Sequence, residues 1–210
     1  MFKNSINGLK KIYIGILLQL VVMGIGALAS LISLIFGDSE GFGAVVAVIL
    51  SILVILAIIA SYVFQLIGTF KNKDIDQNFL YAFICLIVCV VMAVLNFIVS
   101  NRILSSINSL LGTAASILAV YFVLTGCVNF IKEFNNEELT SKTLKARLII
   151  MILLGVAGVI SFVSIIMRGG ERAVMGILSI IEALVTLAAY VIYFIYLKRL
   201  LALEPINETE

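Results

Sequence analysis

Six long runs of apolar residues, separated by short polar connections, make up most of the chain. Each run has at least the roughly 18 residues that a helix needs to cross a bilayer, and almost no charge. In hydrocarbon the backbone polar groups must be satisfied within each segment, which favours helices over open strands. The pattern predicts an all-α integral membrane protein, a six-transmembrane-helix bundle that forms a single transmembrane domain over 1–210, with spans near 12–36, 42–70, 79–100, 107–131, 148–167 and 173–197.

Composition supports this class and excludes several others. The chain is 63% hydrophobic and 12% charged, whereas soluble domains have roughly 45–50% apolar and about 25% charged residues. It contains no histidine, which is the commonest general base and metal ligand. No catalytic motif and no basic cluster with aromatic residues is found. We therefore expect no enzyme activity, no cofactor, no metal site and no nucleic-acid partner.

Positive charge is distributed unevenly between the connections. All nine lysines and two arginines lie at the N-terminus, in the second and fourth connections or after the sixth span, and three arginines lie in the other connections. By the positive-inside rule, both termini are cytoplasmic, including a short tail at 198–210. The predicted location is the cell (plasma or cytoplasmic) membrane, with multiple passes. The five connections in which these charges are counted are Gly37–Gly41, Lys71–Asn78, Asn101–Ser106, Lys132–Arg147 and Arg168–Arg172.

The first span has a second interpretation. Lys10 and Lys11, an apolar run and then Ala27-Leu28-Ala29 resemble a cleavable signal peptide. The run continues to Phe36, which gives it the length of a span, so we favour an uncleaved helix. Cleavage would leave five spans and an external N-terminus.

The even-numbered spans end alike. An alanine two residues before a tyrosine occurs in each, at Ala60 and Tyr62, at Ala119 and Tyr121, and at Ala188 and Tyr190. A lysine follows each of these pairs at the predicted cytoplasmic end. The pattern predicts three helical hairpin repeats. The alternative is that helices ending at a headgroup region acquire tyrosine and lysine independently.

The sixth span carries the one charged residue that lies deep in an apolar run, Glu182, and we expect the other spans to pack around this helix. Glu182 shares one face with further small and polar residues. A carboxylate facing lipid near the bilayer centre costs about 2.5–3.5 kcal/mol, so this face should point into the bundle. The group is either a functional site or structural glue between helices. The predicted polar site consists of Ser179, Glu182, Thr186, Tyr190 and Tyr193.

Two functions fit these features. Stripes of small residues, such as Gly112, Ala115, Ser116, Ala119 and Gly126 on the fourth span, are typical of helix–helix contacts in membranes. The function that we expect most is therefore that of a non-catalytic membrane subunit or scaffold. Its partners would be the lipid bilayer and other membrane proteins or further copies of itself. The alternative is a small transporter or solute-binding subunit that uses Glu182 in the bundle interior. In span number, length and orientation the chain resembles the substrate-binding subunits of energy-coupling factor transporters, although none of their motifs is matched.

Overall fold

The described part of the protein is entirely helical apart from one turn. The computed structural model describes residues 2–36, 42–98, 102–132, 137–166 and 172–202. Six helices in these ranges each contain a segment long and apolar enough to cross a membrane, which confirms the predicted number and apolar character of the helices. The connections at 37–41 and 167–171 and the tail from 203 lie outside the described residues. The helices are α1 (Phe2–Phe36), α2 (Phe42–Asn72), α3 (Gln77–Ile98), α4 (Arg102–Lys132), α5 (Glu137–Ile166) and α6 (Arg172–Leu201).

Two predicted connections are partly helical. Most of Lys132–Arg147 belongs to α5, which begins at Glu137. Glu137 and Glu138 occupy its first turn, where the helix dipole favours negative charge, and Glu138 pairs with Lys142 one turn later. The predicted connection Asn101–Ser106 is likewise helical from Arg102 onward. Hydropathy defines only the apolar part of a helix, whereas capping and charge pairs extend it.

The connection between α2 and α3 is tight because one aspartate organises it. Asp76 precedes α3, and its Oδ1 accepts a hydrogen bond of 2.7 Å from the backbone N–H of Asn78, as a helix N-cap does. The other carboxylate oxygen accepts a bond of 2.7 Å from Nδ2 of Asn129 on α4. Asp76 therefore caps the start of α3 and holds the end of α4 by a side-chain hydrogen bond.

Consecutive helices are antiparallel neighbours, and contacts return from α6 to α1. The most extensive contacts join α1 to α2, α3 to α4 and α5 to α6. Gly8, early in α1, faces Asn72 at the end of α2, and Phe79, early in α3, faces Gly126 late in α4. We call the half that contains the start of α1 and the end of α6 the terminal half, and the opposite half the hairpin half.

The expectation that the other helices pack around α6 is wrong. In α4, 56% of the candidate span is buried, against 17% in α6. The small residues of α4 allow close approach: Ala115 and Ala119 are buried, and Gly126 lies against the ring of Phe79. On α6 the large side chains Ile177, Ile180 and Leu184 are exposed instead.

The core lies in the terminal half. Its largest fully buried side chains come from the first halves of α1, α3 and α5 and the second halves of α2, α4 and α6. A Cβ built on Gly8, Gly15, Gly68 or Gly126 of this half would lie within 3 Å of a neighbouring helix. In the part of the chain that the structure describes, no such contact lies within 4 Å of a Cβ built on Gly24, Gly26 or Gly155 of the hairpin half. The fully buried core side chains include Ile12, Ile16, Phe79, Leu124, Cys127, Ile131, Ile150, Tyr193 and Leu197.

Candidate functional site

A polar cavity of about 410 Å³ lies between α2, α3, α4, α5 and α6, from the middle of the bundle toward the hairpin half. Its volume is within the range of about 300–1,000 Å³ that ligand pockets occupy. Apolar residues of α3 and α5 complete the wall, but most helices contribute at least one polar side chain. The polar lining residues are Tyr62, Asn96, Asn108, Ser109, Thr113, Ser116, Glu182, Thr186 and Tyr190.

The wall formed by α4 was not predicted as part of a site. Asn108, Ser109, Gly112, Thr113 and Ser116 all line the cavity. The last four lie one, four, five and eight residues after Asn108, which places all five on one helical face. The spacing of small residues in the sequence predicts Gly112 and Ser116 as part of a helix–helix seam. The signal that could have revealed the site was the run of hydroxyl and amide side chains on the same face.

Glu182 supplies the charge of the cavity. Its side chain is half-buried, and the lining includes no lysine or arginine among the described residues. No hydrogen bond or ion pair joins its carboxyl group to another residue in the described ranges. Thr186, one turn further along α6, lines the same space. Buried charges in proteins are normally paired or coordinated, so this carboxyl group is available to a positively charged or hydrogen-bond-donating ligand.

Asn96 adds a second unsatisfied acceptor. Its Oδ1 atom is buried and has no hydrogen-bond partner in the described part of the chain, although Asn96 lines the cavity. Asn96 lies on α3 and Glu182 on α6. The structure brings both residues to one cavity. An unmatched buried acceptor costs about 1–3 kcal/mol, which a ligand with N–H or O–H groups would recover.

Tyr190 forms the floor of the cavity and joins it to the terminal half. Its hydroxyl accepts a hydrogen bond of 3.2 Å from Nε2 of Gln19. Oε1 of Gln19 accepts one of 3.1 Å from Nε2 of Gln65, which also donates to Oγ of Ser61 at 3.1 Å. Ser61 donates in turn to the carbonyl oxygen of Gly15 at 2.8 Å. This network holds α1, α2 and α6 together directly beneath the cavity.

The predicted polar stripe of α6 is divided between three environments. Glu182, Thr186 and Tyr190 line the cavity. Ser179 is exposed and lines only a groove between α6 and α1, which Glu182 and Thr186 also line. Tyr193 is only 1% exposed and belongs to the core of the terminal half. A stripe covering about a third of a helix is wide enough to meet several neighbours, so sharing a face does not place all of its residues at one site.

The three tyrosines of the predicted repeats also have different surroundings. Tyr62 and Tyr190 line the cavity. Tyr121 is exposed on α4, where the guanidinium carbon of Arg147 lies 5.5 Å from its ring centre. Only two of the three repeated positions therefore contribute to the candidate site.

The polar lining residues carry carboxyl, amide and hydroxyl oxygens. Across the described residues, no three histidine, cysteine, aspartate or glutamate side chains lie close enough to hold a metal ion. The chain matches no protein-family model, no curated protein and no solved structure. A function is therefore inferred from the geometry of the cavity alone.

Proposed function

We propose that this chain is a multi-pass protein of the cell membrane, with three helical hairpins and both termini in the cytoplasm. The support is the six apolar helices together with the lysines, which all lie in the terminal half, on helices or in the turn between α2 and α3. In this orientation the terminal half lies toward the cytoplasm. The polar cavity then lies in the outer half of the bundle.

Within this topology, we infer that the protein binds a small organic cation in the bundle interior, with Glu182 as its counter-charge, and acts as a transporter or solute-binding subunit. The observation that carries this proposal is the unpaired Glu182 in the wall of a polar cavity. Ionisable residues at membrane depth are rare and characteristically mark ligand or ion sites. Asn96, Thr186 and the hydroxyl side chains of α4 provide hydrogen-bond partners around the cation.

A non-catalytic scaffold remains the second candidate. Its original support, the small-residue stripe of α4, is weakened because Ala115, Ala119 and Gly126 are used for packing inside the chain. Gly24 and Gly155 remain open to close approach by another helix. This function predicts a homo-oligomer or a co-purifying membrane protein in mild detergent. A monodisperse monomer that captures no partner would contradict it.

The proposed site is tested with Glu182→Gln, which removes the charge with little change in volume. Purified protein is titrated with guanidinium, choline and tetramethylammonium at constant ionic strength, and the unfolding temperature is recorded. A ligand that binds the folded state raises this temperature according to its concentration and dissociation constant. We expect at least one cation to stabilise the wild type and to lose this effect in the variant.

Glu138→Gln is the matched control, because Glu138 is an exposed carboxylate far along α5 from the cavity. It should respond to the cations as the wild type does. Uptake of the stabilising cation into proteoliposomes then separates a transporter from a binding subunit. If no cation distinguishes the wild type from Glu182→Gln in either assay, the proposal is wrong.

A further inference from the structure

A second space lies on the other side of Glu182. It is a groove of about 790 Å³ between α1 and α6 in the hairpin half, and its lining is mostly apolar. Glu182 and Thr186 line both the groove and the interior cavity. The two spaces therefore meet at these residues, with an apolar side toward the outside of the bundle and a polar side within. The other lining residues of the groove are Met23, Gly26, Ala27, Ser179, Ile180, Ala183, Leu184 and Leu187.

The groove is confined to one half of the seam between α1 and α6. In the terminal half the seam is closed, because Tyr13 stacks on Phe194 with ring centres 4.7 Å apart and Gln19 bonds to Tyr190. In the hairpin half, no neighbouring helix among the described residues comes within 4 Å of a Cβ built on Gly26. The opening between the two helices therefore lies at the level of the carboxyl group.

We infer that the ligand is a single-chain amphiphilic cation, which reaches Glu182 sideways from the bilayer through this groove. The inference rests on the proposed function, because it takes the cavity around Glu182 as the site of the positive head group. The apolar chain of the ligand occupies the groove between α1 and α6. The head group passes between Gly26 and Ala183 and pairs with Glu182.

The chemistry of the two spaces selects this ligand class. The carboxylate complements a positive head group, whereas the phosphate of a zwitterionic phospholipid would lie beside the same carboxylate and be repelled. Hydrocarbon gains little by moving from lipid tails into an apolar groove. The groove therefore adds little affinity of its own, but it keeps the chain in an apolar environment while the head group is bound, so that filling the groove displaces a bound amphiphile.

Two probes with the same head group test the inference: tetramethylammonium, and dodecyltrimethylammonium with a twelve-carbon chain. Their apparent dissociation constants are measured by the shift in unfolding temperature of the full chain in nanodiscs of one lipid composition. Partitioning of the chain into lipid is then equal for all variants. The variants are Gly26→Phe, which fills the groove, and Gly24→Phe, a control on the same helix that has equally open surroundings but does not line the groove. Glu182→Gln is the third variant.

The expected result is that Gly26→Phe selectively weakens the binding of the probe with the long chain. We expect this variant to raise the apparent dissociation constant of dodecyltrimethylammonium about tenfold, the equivalent of roughly 1.4 kcal/mol. The apparent dissociation constant of tetramethylammonium should not change. Gly24→Phe should affect neither probe, and Glu182→Gln should weaken both.

Two other results overturn the inference in distinguishable ways. If Glu182→Gln weakens both probes but Gly26→Phe weakens neither, or weakens both equally, the groove is not the path of the chain and the proposed cation site stands. If Glu182→Gln leaves both probes unchanged, the proposed function fails together with the inference.

Discussion

The two halves of the bundle use the same residue types for different purposes. In the terminal half, glycines bring helices into contact and polar side chains bond to one another, as Gly68 does against α1 and Gln65 does with Gln19. In the hairpin half, Gly24, Gly26 and Gly155 meet no neighbouring helix among the described residues, and polar side chains such as Asn96 face a cavity. The structural role of a glycine or an amide side chain in an apolar helix therefore cannot be read from its residue type. Its role depends on whether a neighbouring helix is close enough to use it.

This difference suggests that the terminal half stabilises the fold and that the hairpin half binds the ligand. Close helix packing and interhelical hydrogen bonds are the forces that hold helices together in a membrane, and both are concentrated in the terminal half. The hairpin half keeps an unpaired carboxyl group and an unpaired amide oxygen, which reduce stability unless a ligand contacts them. Substitutions of one residue type in both halves separate these roles.

The largest difference should come from adding one methyl group to a glycine in each half. In Gly68→Ala the new methyl carbon would lie 2.7 Å from the carbonyl oxygen of Gly8 and 2.9 Å from the backbone nitrogen of Ile12. Because backbone atoms cannot move aside locally, α1 and α2 must separate, and we expect a loss of about 3 kcal/mol. Gly24→Ala should instead gain about 0.5–1 kcal/mol from helix propensity. Unfolding free energies from denaturing-detergent titrations measure both, and equal effects would contradict the comparison.

Asparagine-to-leucine substitutions should give a smaller but opposite pair of effects. Asn129→Leu removes the hydrogen bond to the Asp76 carboxylate, and we expect a loss of about 2 kcal/mol because the acceptor is charged. Asn96→Leu removes a buried oxygen that has no partner in the described structure. It should leave the unfolding free energy unchanged or raise it by up to about 1 kcal/mol, while weakening cation binding. If Asn96→Leu destabilises the protein and leaves cation binding unchanged, Asn96 stabilises the fold and does not contribute to the cation site.

The smallest effect is expected where the two halves meet. Gln19→Leu removes its bonds to both Tyr190 and Gln65. Interhelical hydrogen bonds in membranes average about 0.6 kcal/mol each, so the expected loss is about 1 kcal/mol. Gln77→Leu, at an exposed position at the start of α3, is the matched control and should change the unfolding temperature little. Indistinguishable unfolding temperatures for the two variants would mean that the network does not hold the cavity floor.

The sequence predicted the helices better than their surroundings. Apolar length determined six helices, because a segment in hydrocarbon must satisfy its own backbone. Helix ends were less predictable, as Glu137 illustrates, since polar turns continue a helix without any change in hydropathy. The polar face of α4 was assigned to packing, because Gly112 and Ser116 fit a seam and a cavity wall equally well.

What the chain by itself determined is the number and apolar character of its helices, and the presence of one carboxyl group, Glu182, within the last of them. The tertiary structure alone decided that α4 is the most buried helix and that Asn96 and Glu182 line one cavity. It also separated Ser179 and Tyr193 from that cavity. The physical reason is that a helix repeats every 3.6 residues whatever surrounds it, whereas the neighbours of each face depend on how closely six helices can approach one another.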